Sequence, residues 1–464
     1  MKKQAIDCEA SMDRISQLPQ PLLHDILCLL SQKEAVQTSV LSKSWRYLGS
    51  TRPNLDFHDS FFRGKKEKLP SFVDKTLQRY HDQKLPIQEL RLAMSGVNPK
   101  SISFLKKWIP IVLLNMGVKT FSLTFLSTYH IKSVKFKLPH VVFQSETLQS
   151  LYLYLCKLTQ TPLDSVILCK HLKKLFFDRV YIADETMAMI LSSCHLIETF
   201  VVRRCEGLRN IKLDGQVCLK LFDFESNAGL RKHDHSMDID APTLETVRIA
   251  GFPNWFNHHN YLFPHLKSLH LDRMQFSSSS FDSFSYNFPC LEKLSLIYCY
   301  GFQEFQLSSR SIKNFKILYD DDDNPLKAVI DAPRLVRFEY RGQNIPQSIS
   351  FQATASEWYS GILVHCDMTV DDSAASLWCL KLYEFLKTLS ESIISLYIVQ
   401  EFVENDEDME EVVQEEDGEE EEEETYGGLC EPVVVERLVF RLDEYSPYPS
   451  SAFIKNFKRI CIRK

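Results

Sequence analysis

Residues 264–271 read Pro-His-Leu-Lys-Ser-Leu-His-Leu, and this order of residue types recurs along most of the 464-residue chain. It consists of an aliphatic residue, two variable residues, an apolar residue, one variable residue and another apolar residue. The last three positions alternate apolar, variable and apolar, which is the period of a short strand with one buried face. Eleven copies begin at Ile87, Val118, Leu148, Leu172, Ile197, Leu219, Leu244, Leu266, Leu291, Ile312 and Leu335.

The spacing of these copies predicts how their strands assemble. After two intervals of 31 and 30 residues, the copies recur every 21 to 25 residues. A unit of this size cannot bury its apolar side alone, whereas stacked units bury it in one continuous core with neighbouring strands paired in parallel. The pattern therefore predicts an irregular solenoid of the α/β class whose parallel strands line a concave face.

Two further features mark the ends of the repeats. Proline stands two residues before the leading leucine of four copies, where it ends the preceding segment because it lacks an amide donor: Pro242, Pro264, Pro289 and Pro333. Four copies carry Cys or Asn eight residues after their start, where such repeats place a polar group that holds the loop backbone: Cys156, Cys205, Asn227 and Cys299. We interpret these cysteines as structural, because no partner motif supports a redox or nucleophilic role.

Residues 13–57 predict a separate module of three short helices. Pro21 suits the first turn of the first helix, and apolar residues follow it at three-to-four spacing. Ser31 and Glu34 have the spacing of a capping box for the second helix, and Ser42 can cap the third. The module carries more large apolar side chains than its length can cover, so part of its surface should bury against another protein or the next domain.

This module resembles the F-box of plant proteins. The similarity lies in residues 13–19, at Leu23, Ile26 and Leu27, and in residues 35–43 and 45–48. Ser44 and Gly49 depart from the Arg and Trp that are common in the plant motif. The resemblance implies docking to the Skp adaptor. Nine residues match motif positions that build the F-box fold or face the adaptor: Leu18, Pro19, Leu22, Leu23, Ile26, Leu27, Val40, Leu41 and Trp45.

The module and the repeats together resemble the plant F-box/leucine-rich-repeat family over about residues 13–345. In that family the Skp adaptor connects the F-box protein to a cullin scaffold and a RING subunit. The resemblance implies a non-catalytic, substrate-recognition subunit of a ubiquitin ligase that holds an unknown protein substrate near the charged conjugating enzyme. The alternative function is a repeat scaffold that binds proteins without a role in ubiquitination.

Four segments follow from these patterns: an F-box at 13–57, leucine-rich repeats at 85–400, an acidic insertion at 401–428 and a C-terminal repeat or cap at 429–464. Residues 401–424 hold 16 acidic residues and no Lys or Arg, which predicts a disordered loop because the charges repel one another. Repeat-like copies begin at Ile393 and Val435, on either side of the insertion.

The strand period also predicts where a substrate binds. The variable residues beside the middle apolar position point away from the core, onto the concave face. Exposed Tyr, Phe and Arg anchor many protein interfaces, although an ordinary solvated face also carries scattered aromatic residues. The predicted substrate surface consists of Tyr152, Tyr154, Phe176, Arg203, Arg248, His270, Asp272, Arg337 and Glu339.

Charge and apolar runs argue against several partners. The net charge of −7 becomes about +9 without the 16 acidic residues, and these dispersed charges do not favour nucleic acid. The longest apolar run, around residues 108–114, is too short to span a membrane, and the N-terminus lacks the apolar stretch of a signal peptide. With no Cys-x-x-Cys pair and no Asn-x-Ser/Thr sequon, the sequence favours the nucleus or cytoplasm over secretion.

Catalytic and metal motifs are not recognisable in the sequence. It has no Walker loop, zinc-protease helix, Gly-x-Ser-x-Gly elbow or paired-cysteine RING pattern, so we expect no enzymatic activity. Residues 320–323, 233–235 and 258–259 offer acidic or histidine side chains without the spacing of a calcium or zinc site. We therefore expect neither a metal nor a cofactor.

Overall fold

In the computed structural model, the chain folds as two compact units, Met1–Leu244 and Glu245–Lys464. The division falls within the predicted repeats rather than at the end of the F-box module. Several features predicted from the sequence lie outside the described residues: the acidic insertion, Ser31, Asn227, and the acidic and histidine side chains at 233–235, 258–259 and 320–323. The structure describes residues 18–30, 32–62, 68–95, 99–126, 136–158, 167–226, 236–251, 262–281, 283–301, 304–319, 326–353, 357–366, 372–400, 432–441, 457–458 and 461–463.

The first unit begins with the three predicted helices, α1 (Gln20–Leu29), α2 (Gln32–Thr38) and α3 (Lys43–Thr51). Pro21 lies in the first turn of α1, where its missing amide hydrogen costs no helical hydrogen bond. Ser42 caps α3 as predicted, because its hydroxyl accepts a hydrogen bond from the Trp45 amide at 3.2 Å. The three helices enclose a small apolar core of Leu23, Leu27, Ala35, Trp45 and Leu48.

The rest of the first unit is a stack of short strands with helices between some of them. Its helices are α4 (Leu69–Asp82), α5 (Pro99–Asn115) and α6 (Asp184–Ser193), and 3-10 turns cover Asp59–Phe62 and His140–Gln144. Its strands are β1 (Asn54–His58), β2 (Glu89–Met94), β3 (Thr120–Phe125), β4 (Lys137–Leu138), β5 (Ser150–Tyr154), β6 (Lys157–Leu158), β7 (Lys174–Asp178), β8 (Thr199–Arg203), β9 (Asn210–Leu213), β10 (Leu221–Glu225) and β11 (Ser236–Ile239).

Seven of these strands form one parallel sheet in the order β1, β2, β3, β5, β7, β8 and β10. Their register places the middle apolar residue of each copy opposite that of the next, so that Leu90, Phe121 and Leu151 lie in one buried row. Short parallel ladders, β4 with β6 and β9 with β11, form beyond the carboxyl ends of the main strands. The predicted parallel stacking of the repeats is therefore confirmed in this unit.

Strand β1 was not predicted, because its copy of the repeat begins with an arginine. Arg52 occupies the leading position, three residues before Leu55 and five before Phe57, and its side chain is only 2% exposed. The Arg52 guanidinium donates hydrogen bonds to the carbonyls of Leu30 at 3.1 Å and Leu27 at 3.4 Å, at the end of α1. The hydroxyl of Tyr80 donates to the Arg52 carbonyl at 2.8 Å, so this residue links the F-box module to the first strand and to α4.

The second unit continues the same architecture. Its helices are α7 (Phe284–Asn287) and α8 (Asp372–Thr388), with a 3-10 turn at Ser278–Phe281. Its strands are β12 (Thr246–Ala250), β13 (Ser268–Asp272), β14 (Lys293–Ile297), β15 (Glu304–Ser308), β16 (Asn314–Tyr319), β17 (Lys327–Asp331), β18 (Arg337–Gly342), β19 (Ser348–Ala353), β20 (Tyr359–Cys366), β21 (Ile393–Gln400), β22 (Val433–Val435), β23 (Arg437–Arg441) and β24 (Cys461–Arg463).

Eight strands of the second unit form a parallel sheet in the order β12, β13, β14, β16, β18, β20, β21 and β23. Strands β15, β17 and β19 form a separate parallel ladder, as do β22 and β24. All eleven copies predicted from the repeat pattern are strands of a main sheet. Strands β21 and β23, which flank the acidic insertion, pair with each other.

Strand β20 was not predicted from the repeat pattern, because Glu357 stands at the leading position of its copy and Ser360 replaces the middle apolar residue. Ser360 lies opposite Phe338 and Ile394 in the buried row and is 1% exposed. Its hydroxyl lies 2.6 Å from that of Ser392, which satisfies a polar group that burial would otherwise penalise. The core can therefore accept a polar pair at a position where the pattern demands an aliphatic residue.

A left-handed residue follows many of the main strands. The φ angle is positive at Leu155, Arg179, Arg204, Arg273 and Tyr298, and at Gly251 in the equivalent place. The amide of each donates to the last part of the next strand, as Arg204 does to the Glu225 carbonyl at 2.7 Å. This turn extends the hydrogen-bonded ladder by one residue and then directs the chain away from the sheet.

Candidate functional site

The nine F-box residues fall into two groups according to their burial. Leu23, Leu27 and Trp45 are buried in the module's own core, so they cannot offer side-chain surface to a partner. Of the two roles that the motif allows, these three side chains therefore have the one of building the F-box fold. Leu18 and Ile26 are half-buried against the same core, while the remaining residues are exposed: Pro19, Leu22, Val40 and Leu41.

Exposed aliphatic side chains of the module lie on α1, on α2 and in the turn after α2. Val40 is 80% exposed and Leu41 is 60% exposed, although a folded chain normally buries such residues. Leu22, Leu29 and Val36 are also exposed. Leu29 and Val36 are not among the nine motif residues, because helix periodicity alone does not show which face the other helices cover. This cluster is the surface expected of a docking module that a partner completes.

The two departures from the plant motif have different structural settings. Ser44 is exposed on α3 and contributes nothing to the core. Gly49 lies where α3 approaches α2, and a Cβ atom there would lie 3.3 Å from the Ala35 carbonyl oxygen. A larger residue at position 49 would therefore require α2 to shift by a few tenths of an ångström.

The predicted substrate residues of the first unit form a cluster on the strand face, the side of the sheet opposite the buried aliphatic rows. Tyr152 and Phe176 are neighbours in the register of β5 and β7, and their rings stack at 4.6 Å with an interplanar angle of 18°. Val201 follows Phe176 in the same row on β8. Arg179 lies over the ring of Tyr154, with its guanidinium carbon 5.9 Å from the ring centre.

Charged residues surround this aromatic pair. Arg203 forms a two-pronged ion pair with Asp223 at 2.6 and 3.2 Å, and the Asp223 side chain is buried. The hydrogen bond to Asp223 raises the pKa of the Arg203 guanidinium. Arg204 bridges Asp178 at 3.0 Å and Glu225 at 3.7 Å.

Asp223 was missed by the sequence analysis, although it occupies the outward position between Phe222 and Phe224 of its copy. The strand-period argument that selected Tyr152 would also have selected Asp223. Arg204 carried no comparable signal, because it lies just after its strand in the left-handed turn. Tyr152, Phe176 and Arg203 line a shallow depression on this face, and its aromatic rings and ion-paired guanidinium suit protein binding.

The predicted residues of the second unit also lie on its strand face, in two groups. Arg248 and His270 are register neighbours on β12 and β13, and Asp272 pairs with Arg273 at 3.3 Å. Glu339 accepts from Arg337 at 2.7 Å and lies 3.5 Å from the Lys316 ammonium. Burial raises the pKa of Glu339, but the bond to Arg337 and the charges of Lys316 and Arg337 outweigh it, so the net shift is downward.

The cysteines after the strands have the structural role expected of them. The thiol of Cys205 lies 3.6 Å from the Phe177 carbonyl, and that of Cys299 lies 3.4 Å from the Leu271 carbonyl, so each contacts the preceding strand. Burial raises the pKa of both thiols to about 12, and Cys156 is shifted in the same direction. These groups stay protonated at neutral pH and are poor nucleophiles.

Two absences concern the described part of the chain alone. Within it, no three His, Cys, Asp or Glu side chains are grouped so that they could hold a metal ion. None of its helices is both long and apolar enough to cross a membrane.

Comparison with known proteins identifies the class to which these features belong. Residues 15–56 match the F-box domain model, and residues 105–251 and 239–353 match the model of the repeats of FBD-associated F-box protein At5g56370. Neither is a catalytic family. An F-box domain followed by leucine-rich repeats is thus defined by the matches and by the fold. The chain belongs to the plant F-box/leucine-rich-repeat family.

Several relatives come from Arabidopsis thaliana. F-box/LRR-repeat protein 25 is 28% identical over 52% of this chain and 86% of its own length. F-box/FBD/LRR-repeat protein At3g26920 is 34% identical over 43% of this chain and 44% of its own, and F-box/FBD/LRR-repeat protein At5g56420 is 28% identical over 52% and 56%. The chain spans about half the length of the curated relatives it matches, since for three of them it covers 48%, 57% and 44% of their own length.

Proposed function

We propose that this protein is the substrate-recognition subunit of a Skp-cullin-F-box ubiquitin ligase, working in the nucleus or cytoplasm. The observation that carries the proposal is the set of exposed apolar side chains of the F-box module: Leu22, Leu29, Val36, Val40 and Leu41. The module has its own complete core, so these side chains gain nothing from exposure in the free chain. Their burial against the Skp adaptor would remove apolar surface from water and so stabilise the complex.

The contribution of this chain to ubiquitination would be proximity. The F-box connects it through the adaptor to the cullin scaffold, and the strand faces hold a protein substrate. A tethered substrate presents its lysines to the charged conjugating enzyme at a high effective concentration, without a catalytic group from this chain. This role agrees with the buried, protonated thiols of Cys156, Cys205 and Cys299, which are poor nucleophiles.

Adaptor docking is tested by Val40→Asp. Ile26→Asp is a poor choice because Ile26 packs partly against the module core, whereas Val40 is 80% exposed and can change without disturbing it. Burying an unpaired carboxylate in an apolar interface costs several kcal/mol, which lowers affinity by about two orders of magnitude or more. The measurement is titration calorimetry of the purified chain with the Skp adaptor.

Lys75→Asp is the matched control, since it places a carboxylate on exposed α4, outside the module. It should bind the adaptor as the unaltered chain does. The proposal fails if the unaltered chain does not bind the adaptor, or if Val40→Asp binds it equally well.

Substrate capture by the first unit is tested by replacing Tyr152 and Phe176 with Ala. Arg203 should be kept, because its removal would leave Asp223 buried without its partner and could unfold the strand face. We expect ubiquitination of the substrate in a reconstituted ligase to fall, with adaptor binding unchanged. Equal ubiquitination by the variant would remove this cluster from the substrate site, and absence of any ubiquitination by the unaltered chain would favour the scaffold alternative.

A further inference from the structure

The strand face of the second unit carries a large excess of positive charge. The outward positions are the residues of each main strand that alternate with its core-facing residues. The strands concerned are β12, β13, β14, β16, β18, β20, β21 and β23. Among these positions seven are cations and only two are carboxylates. The cations are Arg248, Lys293, Lys316, Arg337, Arg341, Arg437 and Arg441, and the carboxylates are Asp272 and Glu339.

Both carboxylates already have cationic partners. Glu339 is shared by Arg337 and Lys316, so one negative charge serves two positive charges. Asp272 is paired with Arg273, which lies beyond the strand and outside the group of seven. Among the described residues, Lys293 and Arg341 have no carboxylate within ion-pair distance. The excess is therefore a property of the folded face and not only of its composition.

The first unit shows that this charge is not general to the repeats. Its corresponding outward positions hold more carboxylates than cations. The carboxylates are Asp56, Glu89, Asp178, Asp223 and Glu225, and the cations are Arg91, Lys174 and Arg203. The two faces are built on the same fold with opposite charge, so the cations of the second unit are not required by the repeat itself.

An apolar row runs beside the cations. Ile297, Leu318 and Leu363 occupy outward positions of one register row, with Arg341 between the last two. Leu318, Leu363 and Arg341 also line a shallow depression together with Tyr298 and Gly342. Tyr298 is exposed at its edge, so an apolar side chain can enter the depression beside a guanidinium.

We propose that this face binds an acidic segment of a partner protein, with carboxylates over the cationic rows and one apolar side chain in the depression beside Arg341. The proposal deepens the proposed function, on which it rests, by assigning the substrate an acidic, apolar-anchored recognition segment. Opposite charges steer such a segment to the face, and the buried side chain fixes its register. A nucleic acid is disfavoured because single strands stack bases on aromatic rings, whereas this row is mainly aliphatic.

The test uses the full chain and a short fluorescent peptide in which glutamates surround one tryptophan. Fluorescence anisotropy should show binding that weakens as salt is raised, because salt screens exposed charges. Lys293→Gln with Arg341→Gln should weaken binding about five- to tenfold, since each removes one exposed cation. Replacing the tryptophan of the peptide by serine should weaken binding by a similar factor.

The matched control is Arg334→Gln with Lys381→Gln, which lowers the net charge equally but lies in a turn and on α8, away from the strand face. It should bind the peptide as the unaltered chain does. The proposal is overturned if the two double variants bind equally or if the serine peptide binds as tightly as the tryptophan peptide. It is also overturned if single-stranded DNA of equal charge displaces the peptide as well as unlabelled peptide does.

Adaptor binding is measured on the same preparations. The peptide assay contains no adaptor, so a chain that binds the peptide but not the adaptor would contradict the proposed function and leave this inference standing. A chain that binds the adaptor but not the peptide would contradict this inference alone.

Discussion

Arg52 offers a direct test of how the F-box module is joined to the repeats. We expect Arg52→Met to loosen α1, because the methionine fills much of the same space but cannot donate to the carbonyls of Leu27 and Leu30. These carbonyls lie at the end of the helix, where the regular helical donors stop. The Leu27 carbonyl also accepts the amide of Leu30 at 3.3 Å, so the Leu30 carbonyl depends more on Arg52. The change therefore removes the donor without opening a large cavity.

The expected size follows from two opposing effects. A hydrogen bond from a charged donor contributes about 1.5–3 kcal/mol, and the bond at 3.4 Å contributes less than the bond at 3.1 Å. Against this gain, burial lowers the pKa of the Arg52 guanidinium, which shows that the charge is partly desolvated. Because two carbonyls accept from the group, we expect the bonds to win and the variant to destabilise α1 by about 2–4 kcal/mol.

Hydrogen exchange followed by mass spectrometry measures this effect locally, which matters because a chain of two units need not unfold in one step. Peptides covering Gln20–Leu29 should exchange about 30-fold to 1000-fold faster in the variant, while peptides from the second unit should be unchanged. Arg46→Met is the control, since Arg46 is exposed on α3. Unchanged or slower exchange of α1 would show that desolvation outweighs the hydrogen bonds and would refute the reasoning.

Three further predictions concern other parts of the chain. Maleimide at pH 8 should label exposed Cys290 quickly but should label buried Cys205 only after unfolding. Burial raises the pKa of Cys205 in the folded chain to about 12, so the stability that this protonated thiol contributes should be complete below about pH 9 and decline between pH 9 and 12. The decline is measured as a falling urea midpoint. Asp223→Asn should lower the unfolding free energy of the first unit by about 1–2 kcal/mol, visible as faster hydrogen exchange in β8 and β10, and equal exchange would mean that the Arg203 pair adds nothing. Deleting residues 404–424 should leave the thermal midpoint nearly unchanged, because closure entropy varies slowly with loop length, and a large fall would show that the segment makes stabilising contacts.

The main strands could be predicted from sequence because a period of two, repeated at a nearly constant spacing, allows few other structures. The exceptions have a common cause. Arg52 and Ser360 occupy apolar positions, and each is satisfied by hydrogen bonds to residues that are distant in the sequence. A pattern of residue types cannot detect such compensation, so β1 and β20 were missed.

The candidate sites were less predictable than the fold. The period places Tyr152, Phe176 and Arg203 on the outward face, but the stacking of Tyr152 on Phe176 and the ion pair of Arg203 with Asp223 depend on the register between strands. In the F-box module, residues that share one motif divide into core and surface only when three helices pack together. The charge of each strand face likewise emerges only after the outward positions are separated from the buried ones.

The left-handed turn after the strands bears on how this chain could be made more stable. Residues with a Cβ atom are strained by about 1–2 kcal/mol in that conformation, yet Arg179, Arg204 and Arg273 all adopt it. Asparagine tolerates the conformation better and avoids the entropic cost that glycine adds to the unfolded chain. Arg273 is the natural place for such an engineered replacement, since it is exposed and gives up a single surface ion pair. Replacing strained residues in these turns, one repeat at a time, should therefore raise the free energy of unfolding stepwise.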